Sequence, residues 1–143
     1  MTVEEAVRTK LLATAAVTSL VNQRVWTQIL PQSPTLPAVR LQLIDETPQA
    51  HLRGINELVP ARVQVDVFAG RNSTDPYGAA NEVMDAVTDA LTPEPFSATV
   101  GSPAVGREID HAMPQGRQPL FIAEEKQQIR IQQDFIVWSK PTS

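Results

Sequence analysis

Two histidines and a few adjacent acids are the side chains of this sequence that could perform acid–base or metal chemistry. His51 and His111 lie near Asp45, Glu46 and Asp110, so a metal site or a proton-transfer pair has to be considered. Metal-binding helices carry their histidines at i,i+4 spacing, and neither histidine has such a partner. A loop histidine among acids is more often simply solvated. We therefore expect no metal site.

The sequence also lacks the motifs that usually indicate covalent catalysis or a bound cofactor. Ser73, Ser97 and Ser102 are not flanked by the glycines of a nucleophile elbow. The stretch "VGSPAVG" contains glycines but no phosphate-cradling motif. There is no cysteine, which excludes a thiolate nucleophile, a disulfide framework and a cysteine zinc site. We expect no catalytic residue and no cofactor, and therefore not an enzyme.

Length and charge narrow the class of protein further. The 143 residues suit a single domain over 1–143. The formal net charge of −4 argues against a tight grip on nucleic acid, which needs a basic face, although DNA could pass such a wall. The apolar run at residues 11–21 is too short and too interrupted to span a bilayer. The chain starts with acids rather than a basic region, so we expect neither a signal peptide nor a membrane contact.

The clearest local pattern is "ARVQVDVFAG", residues 61–70. Val63, Val65 and Val67 alternate with polar residues, and this period of two predicts a half-buried strand over 61–69. The segment 128–138 alternates in a similar way, but Gln133 interrupts its apolar face. Four other segments are predicted strands: 24–30, 38–46, 104–113 and 128–138.

Two segments carry helix signals. Thr2 with Glu5 three residues later matches a capping box and predicts a helix over 3–21. Asp75 as the cap and Pro76 at the first helical position predict a second helix over 75–91. Clusters of proline and glycine predict irregular connections between these elements. The predicted loops are residues 46–60, 93–103 and 113–126.

The order of elements predicts the fold class. One helix, three strands, a second helix and two more strands do not alternate strictly. This order favours an α+β fold, in which an antiparallel sheet of about four to five strands carries two helices packed on one face. The polar face of residues 62–68 then meets either water or a neighbouring copy of the same chain, and the pattern alone leaves both open.

Several segments, in their order, resemble the phage tail-completion family, also called tail terminators. "VNQRVWTQILPQSPTLPAVRLQLID" resembles the family's short R-V-aromatic strand, its proline loop and its L-P-x-V entry into the next strand. "LRGINELVPARVQVDVFAG" resembles its glycine loop and following strand, and "AANEVMDAVTDAL" its second helix. "IQQDFIVWSK" is similar to its closing strand. The resemblance runs from about Val3 to Lys140, except that residues 93–126 match no motif.

The resemblance implies a structural virion protein at the head-proximal end of the tail, assembled in the host cytoplasm. Such proteins form a ring, usually a hexamer, that ends polymerisation of the tail tube and joins the tail to the head connector. The implied partners are further copies of the chain, the tail-tube protein and a connector or neck protein. DNA passes through the channel without specific binding. The alternative is another neck component, such as a head–tail joining stopper or adaptor.

The candidate ring or partner interface is taken from the longest loops and the polar strand face. Long ordered loops in a compact domain usually have a function, which favours residues 46–60 and 113–126. The polar face of the strand 61–69 is the third candidate surface. The charged residues that we expect there are Arg53, Arg62, Asp66 and Arg117.

Overall fold

The computed structural model describes residues 1–32, 34–47, 50–51, 54–55, 58–70, 74–100, 105–123 and 128–142. Within them lie three helices and eight strands. The helices are α1 Val3–Leu12, α2 Ala15–Val21 and α3 Pro76–Leu91. The strands are β1 Val25–Thr27, β2 Ala38–Glu46, β3 Ala50–His51, β4 Gly54–Ile55, β5 Val59–Ala69, β6 Phe96–Val100, β7 Val105–Ala123 and β8 Gln128–Thr142.

Six strands form one mixed sheet in the order β1-β2-β5-β8-β7-β6. All neighbours are antiparallel except β1, which pairs parallel to β2. The prediction of four to five purely antiparallel strands was therefore only roughly right. β1 is parallel because the proline-rich connection brings the chain back to the start of β1 before β2 begins. The short strands β3 and β4 form a separate pair.

The core lies between the helices and one face of the sheet. On β5, residues Val63, Val65 and Val67 are fully or almost fully buried, as their alternation predicted. They belong to one apolar cluster with buried residues of all three helices, among them Val7, Val17 and Val83. The helices therefore cover one face of the sheet, and the other face is left without a helical layer.

The predicted first helix is in fact two helices. Thr14 adopts an extended backbone (φ −102°, ψ 112°), which ends α1 and starts α2. A straight helix that buries Val7 and Leu11 would next turn Thr14 and Thr18 towards the core. The break rotates the second segment so that the apolar Val17 is buried instead. The capping box of Thr2 and Glu5 is present as predicted.

The largest correction concerns residues 93–126. The region predicted to be irregular at 93–103 contains β6, and the predicted loop 113–126 is strand β7 as far as Ala123. Pro114 and Pro119 are tolerated because β6 pairs only with residues 105–109, so the later part of β7 is an edge strand. The register shifts between Pro114 and Arg117, which accommodates an irregularity at Gly116.

Two elements match their predictions closely. β2 has the predicted bounds of 38–46. α3 follows an N-cap at Asp75, whose carboxylate accepts a hydrogen bond from the backbone N–H of Gly78. β5 and β8 are somewhat longer than the predicted 61–69 and 128–138. None of the described helices is long and apolar enough to cross a membrane.

Phe135 is the largest fully buried side chain of the core, and its removal tests this packing. We expect Phe135→Ala to lower the free energy of unfolding by about 3–5 kcal/mol, because it removes buried surface and leaves a cavity. Urea unfolding followed by circular dichroism measures the change. Ile44→Ala, at a half-exposed position of the same sheet, should cost less than about 1 kcal/mol. Equal losses for the two variants would contradict the assigned core.

Candidate assembly surface

The face of the sheet that points away from the helices carries most of the polar strand residues. Here it is called the outer face. Its members follow from the register of β2, β5 and β8, in which alternate residues of neighbouring strands lie side by side. On these three strands they include Arg40, Gln42, Arg62, Gln64, Asp66, Arg130, Gln132, Asp134, Ile136 and Trp138.

A buried carboxylate lies at the centre of the outer face. The side chain of Asp66 is 0% exposed, although it is on the face without helices. Its Oδ2 accepts hydrogen bonds from Arg40 Nη2 at 2.9 Å and Nε at 3.2 Å. Its Oδ1 accepts a bond from Arg130 Nε at 2.9 Å. Gln64 Nε2 is a further donor at 3.0 Å. The charge of Asp66 is thus shared between arginines from the two flanking strands.

The two arginines are themselves held in place. The guanidinium of Arg40 lies 5.3 Å from the ring centroid of Phe68, a cation–π distance. Arg130 also donates from Nη2 to Gln132 Oε1 at 3.3 Å. Both arginine side chains remain about one quarter exposed, at 21% and 24%. The surface at this position therefore consists of the edges of two oriented guanidinium groups, with the carboxylate beneath them.

Arg62 is more accessible than this cluster. Its side chain is 45% exposed and its Nη1 lies 3.4 Å from Asp134 Oδ2. The other oxygen of Asp134, Oδ1, is buried without a hydrogen-bond partner in the described part of the chain, and so is Nε1 of Trp26. Buried polar atoms normally find a partner or an ordered water.

One end of the outer face is apolar. Met113 and Ile136 are neighbours across β7 and β8, and Met113 is about half exposed. Trp138 lies beside His111 in the next position, with ring centroids 5.8 Å apart and planes 22° from parallel. Nδ1 of His111 lies 2.7 Å from Asp110 Oδ2. His111 therefore has an exposed aromatic and acidic environment, and no described cluster of three ligating side chains surrounds it.

Arg117 lies on the helix side of the sheet rather than on the outer face. Its Nε donates to Gln133 Oε1 at 3.1 Å, and its Nη1 donates to Asn81 and Asp85 of α3 at 3.1 and 2.8 Å. Gln133 also donates to the backbone oxygen of Gln115 at 3.1 Å. The glutamine that interrupts the apolar pattern of β8 is thus explained, because it completes a polar link between β7, β8 and α3.

The candidate interface residues from the sequence are therefore not brought together in one place. Arg62 and Asp66 share the outer face, one exposed and one buried. Arg117 lies against α3. Arg53 lies outside the described residues, as do the side chain of His51 and much of the segment 46–60. Sequence reasoning missed Arg40 and Arg130, since only the strand register shows that both reach Asp66.

Comparison with protein families defines the class of protein to which the chain belongs. The model of the family "Tail completion protein gp17" matches residues 5–119 of the chain. This match covers most of α1, all of α2 and α3, strands β1 to β6 and most of β7, but not β8. The chain belongs to the tail completion protein gp17 family, and is thus a structural component of the tail of a phage-like virion. No curated protein matched it in sequence.

A solved structure shares the fold. The chain is similar to a chain of the structure described as the virion of a native gene transfer agent particle, with a TM-score of 0.65. The similarity covers 96% of this chain and 93% of the other, at 19% sequence identity. At that identity the likeness establishes a common fold and leaves the individual contacts to be derived from this chain.

Asp66→Asn tests the central carboxylate. We expect the free energy of unfolding to fall by about 2–4 kcal/mol, since the two arginines lose their shared counter-charge while the uncharged side chain at position 66 remains buried between them. The matched control is Arg62→Ala, which breaks a longer pair, at 3.4 Å, whose arginine is 45% exposed, and should cost about 1 kcal/mol. Chemical denaturation of both variants measures the difference. If Asp66→Asn is as stable as the unmodified protein, the cluster does not hold the three strands together.

Proposed function

We propose that this protein forms a closed ring, of six copies, that ends polymerisation of the tail tube at its head-proximal end and joins the tail to the head connector. The observation that carries the proposal is the tail-completion family match over residues 5–119. Completing a tail requires a protein that binds the last tube subunits on one side and offers a different surface on the other. A ring built from one repeated contact provides both surfaces with the symmetry of the tube.

The outer face has properties that suit such a contact. It is ordered by hydrogen bonds within the chain, so little side-chain entropy is lost when a neighbour packs on it. It carries the exposed apolar side chain of Met113 beside polar groups. A helical layer covers only the opposite face of the sheet. These features support a protein partner for this face rather than water alone.

The proposed contact residues have different roles. Arg62 is exposed and would touch a neighbour directly. Asp66 would act through the two arginines that cover it, and Arg117 through the position of β7 against α3. Arg53 and the segments 46–60 and 113–126 remain proposed parts of the interface. In the segment 113–126, the exposed strand residues Met113 and Leu120 are the apolar candidates.

We further propose that the role is structural and needs no cofactor, and that DNA passes the ring without specific binding. Tail completion requires binding rather than bond-making, and the family is a virion component. The arginines of the outer face are engaged by carboxylates, which weakens their attraction for phosphate. The proposed partners are therefore protein surfaces: further copies of this chain, the tail-tube protein and the connector.

The mass of the purified protein tests the ring directly. Light scattering over a concentration series, with and without preassembled tail tubes of the same particle, should show a species of six chains, or tubes capped at a fixed length. Arg62→Glu should raise the concentration of half-assembly about tenfold or more, because it replaces an exposed cation by an anion beside Asp134. Its melting temperature should fall by only a few degrees, because the side chain at position 62 is 45% exposed even though its partner Asp134 is 19% exposed.

The control is Asp89→Arg, a charge reversal of equal size on the exposed side of α3. It should leave assembly unchanged. A monomer at all concentrations that also fails to limit tube length would contradict the proposed function. If the unmodified protein limits tube length and Arg62→Glu assembles normally, the proposed function stands and Arg62 is not part of the contact. Binding to the portal-side ring instead of the tube would indicate a stopper or adaptor.

A further inference from the structure

The later part of β7 is an open edge of the six-stranded sheet. β7 pairs with β8 almost to its end, but on its other side β6 reaches only residues 105–109. No other described strand pairs with β7, and residues 113–120 are exposed except for the half-buried Arg117. An open edge presents unpaired N–H and C=O groups, to which a strand of another molecule can add. Copies of the chain could therefore join through their backbones here.

Among the described strands, the other edges of this sheet are short. β1 has three residues and β6 has five, and short edge strands offer little backbone to a second chain. The open part of β7, from His111 to Ala123, is much longer. It also ends in the sequence Leu-Phe-Ile-Ala, residues 120–123, directly after Pro119. Apolar runs of this kind favour pairing between chains, so this edge needs protection that its length does not give.

The direction of the backbone groups of β8 follows from one hydrogen bond and the strand register. The N–H and C=O of a strand residue point to the same side, and successive residues point to opposite sides. Pro60 of β5 lies opposite Trp138 of β8, and the carbonyl of Pro60 accepts a hydrogen bond from the N–H of Thr47, on the β2 side, at 3.1 Å. The backbone groups of Pro60 and Trp138 therefore point away from each other, and those of Trp138 point towards β7.

The same alternation places two prolines at the open edge. The register of β5 and β8 has no shift, so residues an odd number of positions from Trp138 along β8, such as Phe135 and Ile131, point to β5. Pro114 lies opposite Phe135, and Pro119 lies opposite Ile131. Both are therefore non-hydrogen-bonded pairs of β7 and β8. The backbone groups of both prolines face away from β8, towards the open edge.

These prolines remove hydrogen-bond donors from the edge. Proline has no N–H, so neither position can donate to an added strand. The register shift between Pro114 and Arg117 displaces the donors between them from regular spacing. The side chain of Gln115 donates from Nε2 to the carbonyl of Pro114 at 3.4 Å, which occupies an acceptor of the same edge. A strand that approached β7 would therefore meet an interrupted row of donors and acceptors.

We propose that Pro114 and Pro119 prevent the edge of β7 from pairing with β7 of a second copy, so that copies of this chain meet through side chains and not through one continuous sheet. Pairing of two β7 edges is a two-fold contact, which joins copies in pairs and does not lead to a ring of head-to-tail contacts. The inference goes beyond the proposed function and does not rest on it, because it concerns the edge of each single copy.

A variant with both Pro114→Thr and Pro119→Thr, here called the β7 variant, tests the geometry first. Threonine restores the N–H and favours strands. In dilute solution, hydrogen exchange at the two new amides should be as fast as in exposed loops, because both N–H groups face the open edge. Leu120 provides the internal comparison, since it lies opposite Arg130, whose backbone groups point to β7, and its amide should be protected. Protection of the new amides in the unassociated variant would overturn the proposal.

Light scattering then tests the function of the prolines. Below the concentration at which the unmodified protein assembles, the average mass of the β7 variant should be about twofold higher or more, because its edge can now pair. The control carries Pro31→Thr and Pro93→Thr, at exposed prolines outside the described strands, and should keep the unmodified mass. In the associated β7 variant, the amides at 114 and 119 should become protected from exchange.

A comparison with Phe135→Ala separates edge pairing from general loss of stability, since that variant is weakened in the core and keeps both prolines. An equal gain in mass for Phe135→Ala or for the control, at equal fractions unfolded, would overturn the proposal. If rings form with the unmodified protein and the β7 variant keeps the unmodified mass, the edge proposal is wrong and the ring stands. If the unmodified protein forms no ring and the β7 variant still pairs, the ring proposal fails and this one stands.

Discussion

The carboxylate of Asp66 constrains more of this structure than any other single group. It is buried on the face of the sheet that has no helices, and it accepts hydrogen bonds from arginines on both neighbouring strands. Those bonds form only in one register, since a slip by one residue would turn Asp66 into the apolar core and Val65 out of it. The same register aligns the valines of β5 with the apolar side chains of β2 and β8 beneath the helices. The polar face and the core are thus fixed by one alignment.

Sequence patterns predicted the elements whose signals are local. β2 and β5 alternate, and α3 begins with an aspartate cap and a proline, so each element was found from its own residues. Strand β7 was missed from Met113 onwards because prolines and Gly116 are usual signs of a loop. Their tolerance depends on β7 having a single neighbour there, which is a property of the whole sheet. The parallel pairing of β1 likewise depends on its partner strand, and the residue pattern of β1 alone does not show the direction of that partner.

The candidate assembly surface was also predicted only in part from the sequence. Alternation alone placed Arg62 and Asp66 on one face. It could not show that one is exposed and the other covered, because the covering arginines come from strands distant in sequence. Arg117 was expected in a loop and instead joins Gln133 to α3. The misplaced glutamine of β8 was the available signal, since a polar residue on an apolar face requires a buried partner.

The distribution of charge bears on what the outer face can bind. The chain has a net charge of −4, yet Arg40, Arg62 and Arg130 on this face are matched by Asp66, Asp134 and Asp45, which lies opposite Arg62. The face is therefore close to neutral, and part of the acidic excess is displayed on α3, at Glu82 and Asp89. A neutral face with its arginines already paired attracts phosphate weakly, but it offers oriented donors and exposed apolar groups to a protein.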